Sequence, residues 1–138
     1  MKTMKTIFTG LSIAILAISV TSMVSAQPKK GKPWDIPAKY KEMKSAVKTS
    51  DASVKAGDAA YKKNCASCHG KAGAGDGTKA KTLETFPGNF GSADFQGQSD
   101  GVIFYQTKFG RNEMPKYDKK IEDNDIWNIV NYLRTLKK

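Results

Sequence analysis

The apolar positions of the last segment form one stripe. Ile126, Ile129, Val130, Leu133 and Leu136 recur at helical spacing, with Trp127 and Tyr132 at the margins, which predicts an amphipathic helix. Glu122, Asp123 and Asp125 crowd its start and Arg134, Lys137 and Lys138 its end, so both groups complement the helix dipole. A second helical pattern starts at Ser53, where Val54, Gly57, Tyr61 and Cys65 share the same spacing, and Asp51 or Ser53 can cap it. Gly57 inside that helix costs about 1 kcal/mol relative to alanine, which is understandable where another helix crosses at close range. A shorter helix holds Val102, Ile103, Phe104 and Tyr105, capped by Asp100 and stopped near Gly110.

The remaining stretches lack such order. Residues 70–77 form a glycine-rich loop without the preceding strand, or the following Lys-Ser or Lys-Thr pair, of a phosphate-cradling loop. Leu83, Phe86, Phe90 and Phe95 follow among Gly, Pro and Asn, an irregular segment that lends a few side chains to a core. Residues 27–52 are rich in Lys and Pro. Pro28, Pro33 and Pro37 oppose regular structure there, and Trp34, Ile36, Tyr40 and Met43 are scattered apolar points. Two readings of this arm are open: laid over the domain and pinned by Trp34, or a mobile tail. Nothing alternates with period two. The predicted fold is all-α, one small domain of about three to four helices with long loops.

The start of the chain reads as an export signal. Lys2 and Lys5 precede the mostly apolar Ile7–Val20, and Val24-Ser25-Ala26 offers a small-residue cleavage site. Thr9, Gly10, Ser12 and Ser19 make that run short and impure for a permanent membrane span, with retention as an anchor the alternative. No cysteine stands at the cleavage site, which excludes lipid attachment there. The organisation expected is therefore a signal peptide at 1–26, an arm at 27–52 and one compact domain at 53–138, exported to a bacterial periplasm. The formal charge of +10 falls by two with Lys2 and Lys5, and the balance favours acidic partners and salt-sensitive encounters. Dispersed lysines in an exported chain without a recognisable module argue against nucleic acid.

The chemistry is concentrated in Cys65-Ala66-Ser67-Cys68-His69, which uses both cysteines and the single histidine of the chain. Two thiols at this spacing can add across the vinyl groups on one edge of a porphyrin, and His69 then supplies a ring nitrogen to the iron. Structural zinc needs about four protein ligands and would have to recruit carboxylates or a second chain. A redox dithiol calls for a βαβ setting, and none is found. A disulfide over two intervening residues closes too small a loop to stabilise much. Covalent haem c is the reading these residues favour.

For the second iron ligand, signal cleavage leaves Met43 and Met114. Met114 lies in Gly110-Arg111-Asn112-Glu113-Met114-Pro115, a loop between two helices whose polar neighbours disfavour a core role. A thioether there favours reduced iron relative to a second imidazole, and an apolar pocket pushes the same way. Leu83, Phe86, Phe90, Phe104, Tyr105, Trp127 and Val130 are candidates for its walls.

Taken in order, Gly57, Tyr61, the CASCHG run, Met114-Pro115 and the final Ile126-Trp127-Asn128-Ile129-Val130-Asn131-Tyr132-Leu133 resemble the class I c-type cytochromes over residues 53–138. The resemblance implies that the first and last helices cross near the haem, with Gly57 and Tyr61 against Ile129 and Tyr132. It also implies a proline carbonyl holding the axial imidazole through its far nitrogen, for which Pro87 is the best match.

The function expected is a monomeric, soluble periplasmic one-electron carrier between redox proteins, with no substrate bond changed. Lys108, Arg111, Lys116, Lys119 and Lys120 outnumber Glu113 and Asp118 around the Met114 loop, either as a docking face for acidic partners or as an ordinary solvated surface. One alternative is a haem subunit of a respiratory or dehydrogenase complex, tethered by the arm. The other is a ligand-binding or peroxidase-like protein with an open iron, against which the lack of a second histidine argues.

Overall fold

The computed structural model describes residues 31–138; the expected signal segment 1–26 and residues 27–30 of the arm lie outside them. Among the described residues six helices run in the order α1 (Ala38–Lys41), α2 (Asp51–Asn64), α3 (Ala66–His69), α4 (Ala93–Gln96), α5 (Asp100–Phe109) and α6 (Asp123–Thr135), with one 3-10 turn at Ala80–Thr82. Three of these are single turns, so the frame is α2, α5 and α6. Among the described residues no strand forms, and one isolated bridge pairs Arg111 with Met114. No described helix is long and apolar enough to cross a membrane.

Two caps differ from expectation by one to three residues. Ser50, not Asp51 or Ser53, caps α2: its hydroxyl accepts from Ser53 N at 3.2 Å, and Ser53 Oγ accepts from Ser50 N at 2.9 Å. Ser53 is thus the third residue of the helix, returning the bond in a reciprocal box. Ser99 rather than Asp100 caps α5, accepting from Val102 N. Asp100 instead receives Arg134 Nε at 2.8 Å and Nη2 at 2.6 Å, which ties the start of α5 to the end of α6.

The core sits where α2 crosses α6. A Cβ on Gly57 would overlap the carbonyl of Asn128 and crowd Cβ of Tyr132, so only glycine permits this backbone approach. Tyr61, Ile126 and Val130 are wholly buried around the crossing, and Tyr61 tilts onto Tyr132 with centroids 5.2 Å apart. Each aliphatic side chain so enclosed stabilises the fold by about 1.5–3 kcal/mol. From α5, Phe104 stacks on Trp127 at 4.2 Å and 21°. The buried Asn131 is satisfied: its amide donates to Ser53 Oγ and Val47 O, and it accepts from Thr49 Oγ1. That one side chain joins α6, α2 and the end of the arm.

Residues 31–50 lie across the domain. Ile36 is buried, and Tyr40 of α1 packs its ring against Tyr105 at 4.8 Å and Phe109 at 5.8 Å on α5. Ser99 Oγ donates to Lys41 O at 2.8 Å.

Candidate functional site

Helix α2 delivers the motif. Cys65 N donates to Tyr61 O, closing the last turn, and Cys65, Cys68 and His69 then lie on or beside the single turn α3. The Tyr61 hydroxyl donates to Gly70 O at 2.6 Å, so a core residue fixes the backbone just beyond the histidine. The glycine-rich loop folds back over the motif: Gly75 N, Gly77 N and Lys79 N donate to His69 O, Cys68 O and Ser67 O. A Cβ on Gly77 would overlap the Ser67 carbonyl, which explains a glycine at that close approach.

Both thiols are free and half-buried. Burial, with a smaller effect from Cys68, pushes the Cys65 thiol up to about 12. A reactive redox dithiol needs the opposite, a stabilised thiolate. Burial also pulls His69 from 6.5 down to about 4, leaving a neutral imidazole with a lone pair to give at ordinary pH. Phe90 stacks on its ring at 4.5 Å and 23°. The only opposing influence is the Pro87 backbone, which lacks an N–H and can only accept. Nδ1 is nonetheless buried without a hydrogen bond of good geometry, so Pro87 lies beside the ring without yet fastening it.

On the other wall, Arg111 and Met114 exchange backbone hydrogen bonds, both 2.9 Å, around a tight turn in which Asn112 has φ 51°. Three side chains hold this turn. The Glu113 carboxylate accepts from Glu84 N at 3.1 Å and Thr85 N at 3.2 Å. Arg111 donates to Pro33 O and Lys32 O, each at 2.8 Å, and its guanidinium carbon lies 4.2 Å from the centre of the Trp34 ring. Tyr117 OH donates to Asn64 O at 2.8 Å, joining the loop to the end of α2.

Between the walls lies a cleft of two lobes, about 430 Å³ and about 610 Å³. His69 and Met114 line both, together with Trp34, Thr85, Phe86, Pro87 and Arg111. The first lobe adds Cys65, Cys68, Leu83, Pro115 and Tyr117; the second adds Phe90, Phe95 and Ile103. Of the residues expected at the pocket, Phe104, Tyr105, Trp127 and Val130 line neither lobe. Trp127 and Phe104 fill the core between α5 and α6 with each other, and Tyr105 packs outward on α1.

Sequence reasoning missed Glu113 and Tyr117 as structural partners of the Met114 turn, and Trp34 as a wall. An aromatic three residues beyond Met114 in a polar loop was a usable signal for Tyr117. Nothing local announces Trp34. Two of the five expected docking cations are also committed elsewhere: Lys108 pairs with Asp123 at 2.5 Å, and Arg111 holds the arm.

Residues 52–133, more than half of the chain, match the family described as cytochrome C oxidase, cbb3-type, subunit III, and the chain belongs to this family of class I c-type cytochrome domains. A cytochrome c6 from Diacronema lutheri is 30% identical over 80 residues, 56% of this chain and 88% of that protein. Among solved structures, a chain of the Kuenenia stuttgartiensis reducing HAO-like protein complex Kustc0457/Kustc0458 superposes with a TM-score of 0.61 at 26% identity over 67% of this chain. The match spans 47% of that longer chain. The KustC0563 c-type cytochrome superposes with a TM-score of 0.51 at 28% identity, over 59% of this chain and 98% of that one.

These relatives define an all-α cytochrome c fold whose work is haem-based electron transfer. Its cofactor is haem c, bound covalently through cysteines, and Cys65 and Cys68 are the two that this chain has. The cleft fits such a group: a neutral imidazole with a buried Nδ1, two thiols, a thioether and aromatic side chains are among the residues lining its two lobes.

Proposed function

We propose that residues 53–138 form a one-electron carrier domain of the bacterial periplasm, with residues 1–26 removed as a signal and 27–52 retained as an arm. Haem c would be held covalently through Cys65 and Cys68, with His69 and Met114 as the residues that would bind its iron. The supporting observation is that His69 and Met114 are shared by both lobes of the cleft that also receives the thiols.

When bound, the haem supplies a one-electron couple at the iron. The residues of the chain prepare it. Burial keeps His69 neutral, Phe90 fixes the plane of its ring, and Pro87 O stands ready to accept from Nδ1–H once the other nitrogen binds metal. Apolar and aromatic walls at Leu83, Phe86 and Phe95 limit water around a site whose oxidised form carries the greater charge, which favours reduction. Arg111 directs two of its donors to arm carbonyls rather than into the cleft. The exposed Lys116, Lys119 and Lys120, with Lys79 at the first lobe, form the face offered to acidic donors and acceptors.

An alternative is a haem subunit held in a larger assembly, which the similarity to a component of the HAO-like complex favours. Size analysis at native abundance separates the two, a free carrier running as a monomer.

The deciding experiment is an absorption spectrum of the holoprotein, expressed with a haem-attachment apparatus, in both oxidation states. Covalent low-spin haem with the weak far-red band of thioether-to-ferric ligation is expected. Met114→Ala should abolish that band and open the reduced iron to carbon monoxide. Colourless protein, or rapid tight carbon monoxide binding by the unmodified chain, defeats the proposal.

A further inference from the structure

We propose that residues 31–37 are a strap across the haem cleft and that Trp34 and Arg111 act together as positioning residues for Met114. The inference rests on the axial role proposed above for that methionine. It concerns a segment outside the family match at 52–133.

The strap touches both walls. Gly31 sits where an added Cβ would lie 3.0 Å from Thr85 Cγ2 and 3.4 Å from Arg111 Nη2, between the motif-side loop and the Met114 turn. Trp34 lines both lobes of the cleft. The segment is anchored near its end by the buried Ile36 and just beyond it by Tyr40 on Tyr105 and Phe109. It is therefore fixed at its exit from the cleft.

Arg111 is the hinge between strap and ligand. Its side chain grips the strap three ways, by two carbonyl hydrogen bonds and by lying over the indole of Trp34. Its backbone is bonded in both directions to Met114. Any displacement of the guanidinium is therefore passed through one two-residue turn to the methionine. Glu113 holds the same turn from the side of Glu84 and Thr85. Without the strap, the turn keeps the tethers from Glu113 and Tyr117 but loses the one made by Arg111, and the fraction of molecules with the thioether off the iron rises.

Exogenous imidazole reads that fraction. It replaces the thioether at ferric iron by breaking one iron–sulfur bond and forming one iron–nitrogen bond, with no change in oxidation state. Its apparent affinity scales with the population of open iron. Ferric holoprotein carrying Trp34→Ala or Arg111→Gln should bind imidazole about tenfold more tightly than the unmodified chain, with a weaker far-red band. Trp34→Phe, which keeps a ring under the guanidinium, should restore most of the difference. The probe is small and uncharged in its binding form, so loss of a surface cation does not itself produce the effect.

If both variants bind imidazole within about twofold of the unmodified protein while only their melting temperatures fall, the strap is merely structural and the inference is overturned. Should Trp34→Ala fail to yield folded holoprotein, Arg111→Gln decides alone. Absence of the far-red band from the unmodified protein removes the axial role of Met114, and the strap role with it. That outcome is distinct from a normal band with unchanged imidazole binding.

Discussion

The α2–α6 crossing and the cleft loops solve opposite problems. At the crossing, Gly57, Tyr61, Ile129 and Val130 are closed against each other, and the geometry is set by direct backbone contact with Asn128. Around the cleft the chain is held by directional bonds at turns: Glu113 to two amides, Arg111 to two carbonyls, Tyr117 to Asn64. The first region resists change through packing and tolerates no added volume. The second keeps space open for a cofactor, so its walls must be positioned without being filled. Apart from Ile103 and Leu133, which belong to the core and also line the second lobe, stability and chemistry are thereby separated in the chain, and variants in each region should fail differently.

The sharpest division should come from Gly57→Val. Forcing a branched side chain into the Asn128 carbonyl should cost about 3 kcal/mol or more and leave little folded holoprotein, measured by yield and denaturant unfolding. Ile129→Ala should cost about 3 kcal/mol by the same measurement, with the far-red band retained, because the cavity lies in the core rather than on the ligands. A lost band in the folded variant would show that the two regions are not separate.

Tyr117 gives a pH-dependent contrast. Burial chiefly, with Cys65 and Cys68 adding, raises its phenol from 10.0 to about 12; attachment of haem converts the thiols to thioethers, so burial is the part that persists. The unfolded chain then loses this proton before the folded one does. Its contribution is complete below pH 10 and is lost as pH rises towards 12. Tyr117→Phe should lower stability by about 1 kcal/mol at neutral pH through the bond to Asn64, yet fall less steeply in alkali, followed by thermal melts across that range. The smallest effect is expected for Glu113→Gln: exchange of the Glu84 and Thr85 amides should quicken roughly three-fold with the melting temperature almost unchanged.

The same division governs what could be read from the chain. Period and spacing revealed the apolar stripe of α6, the crossing glycine and the CASCHG run, because each is a local pattern with a local physical cause. Capping was harder: Ser50 and Ser99 win over nearby acids because the serine at the third position, or a distant arginine, decides which side chain is free. Trp127 looked like a cofactor wall because it borders the helix stripe, but Phe104 arrives from α5 to cover it. Trp34 is legible as the pin of the arm but not as a wall of the cleft, and Glu113 only as a loop charge, since their partners lie far away in sequence. Residues that touch a cleft across a turn carry no periodic mark.

The largest helix contact joins α2, near the start of the domain, to α6 at its very end. A chain emerging residue by residue cannot bury Tyr61 until Ile129 and Leu133 have followed it out. Through that interval the α2–α6 crossing cannot yet fix the backbone that carries Cys65 and Cys68. The order of the helices thus makes the end of the domain the condition for closing its beginning.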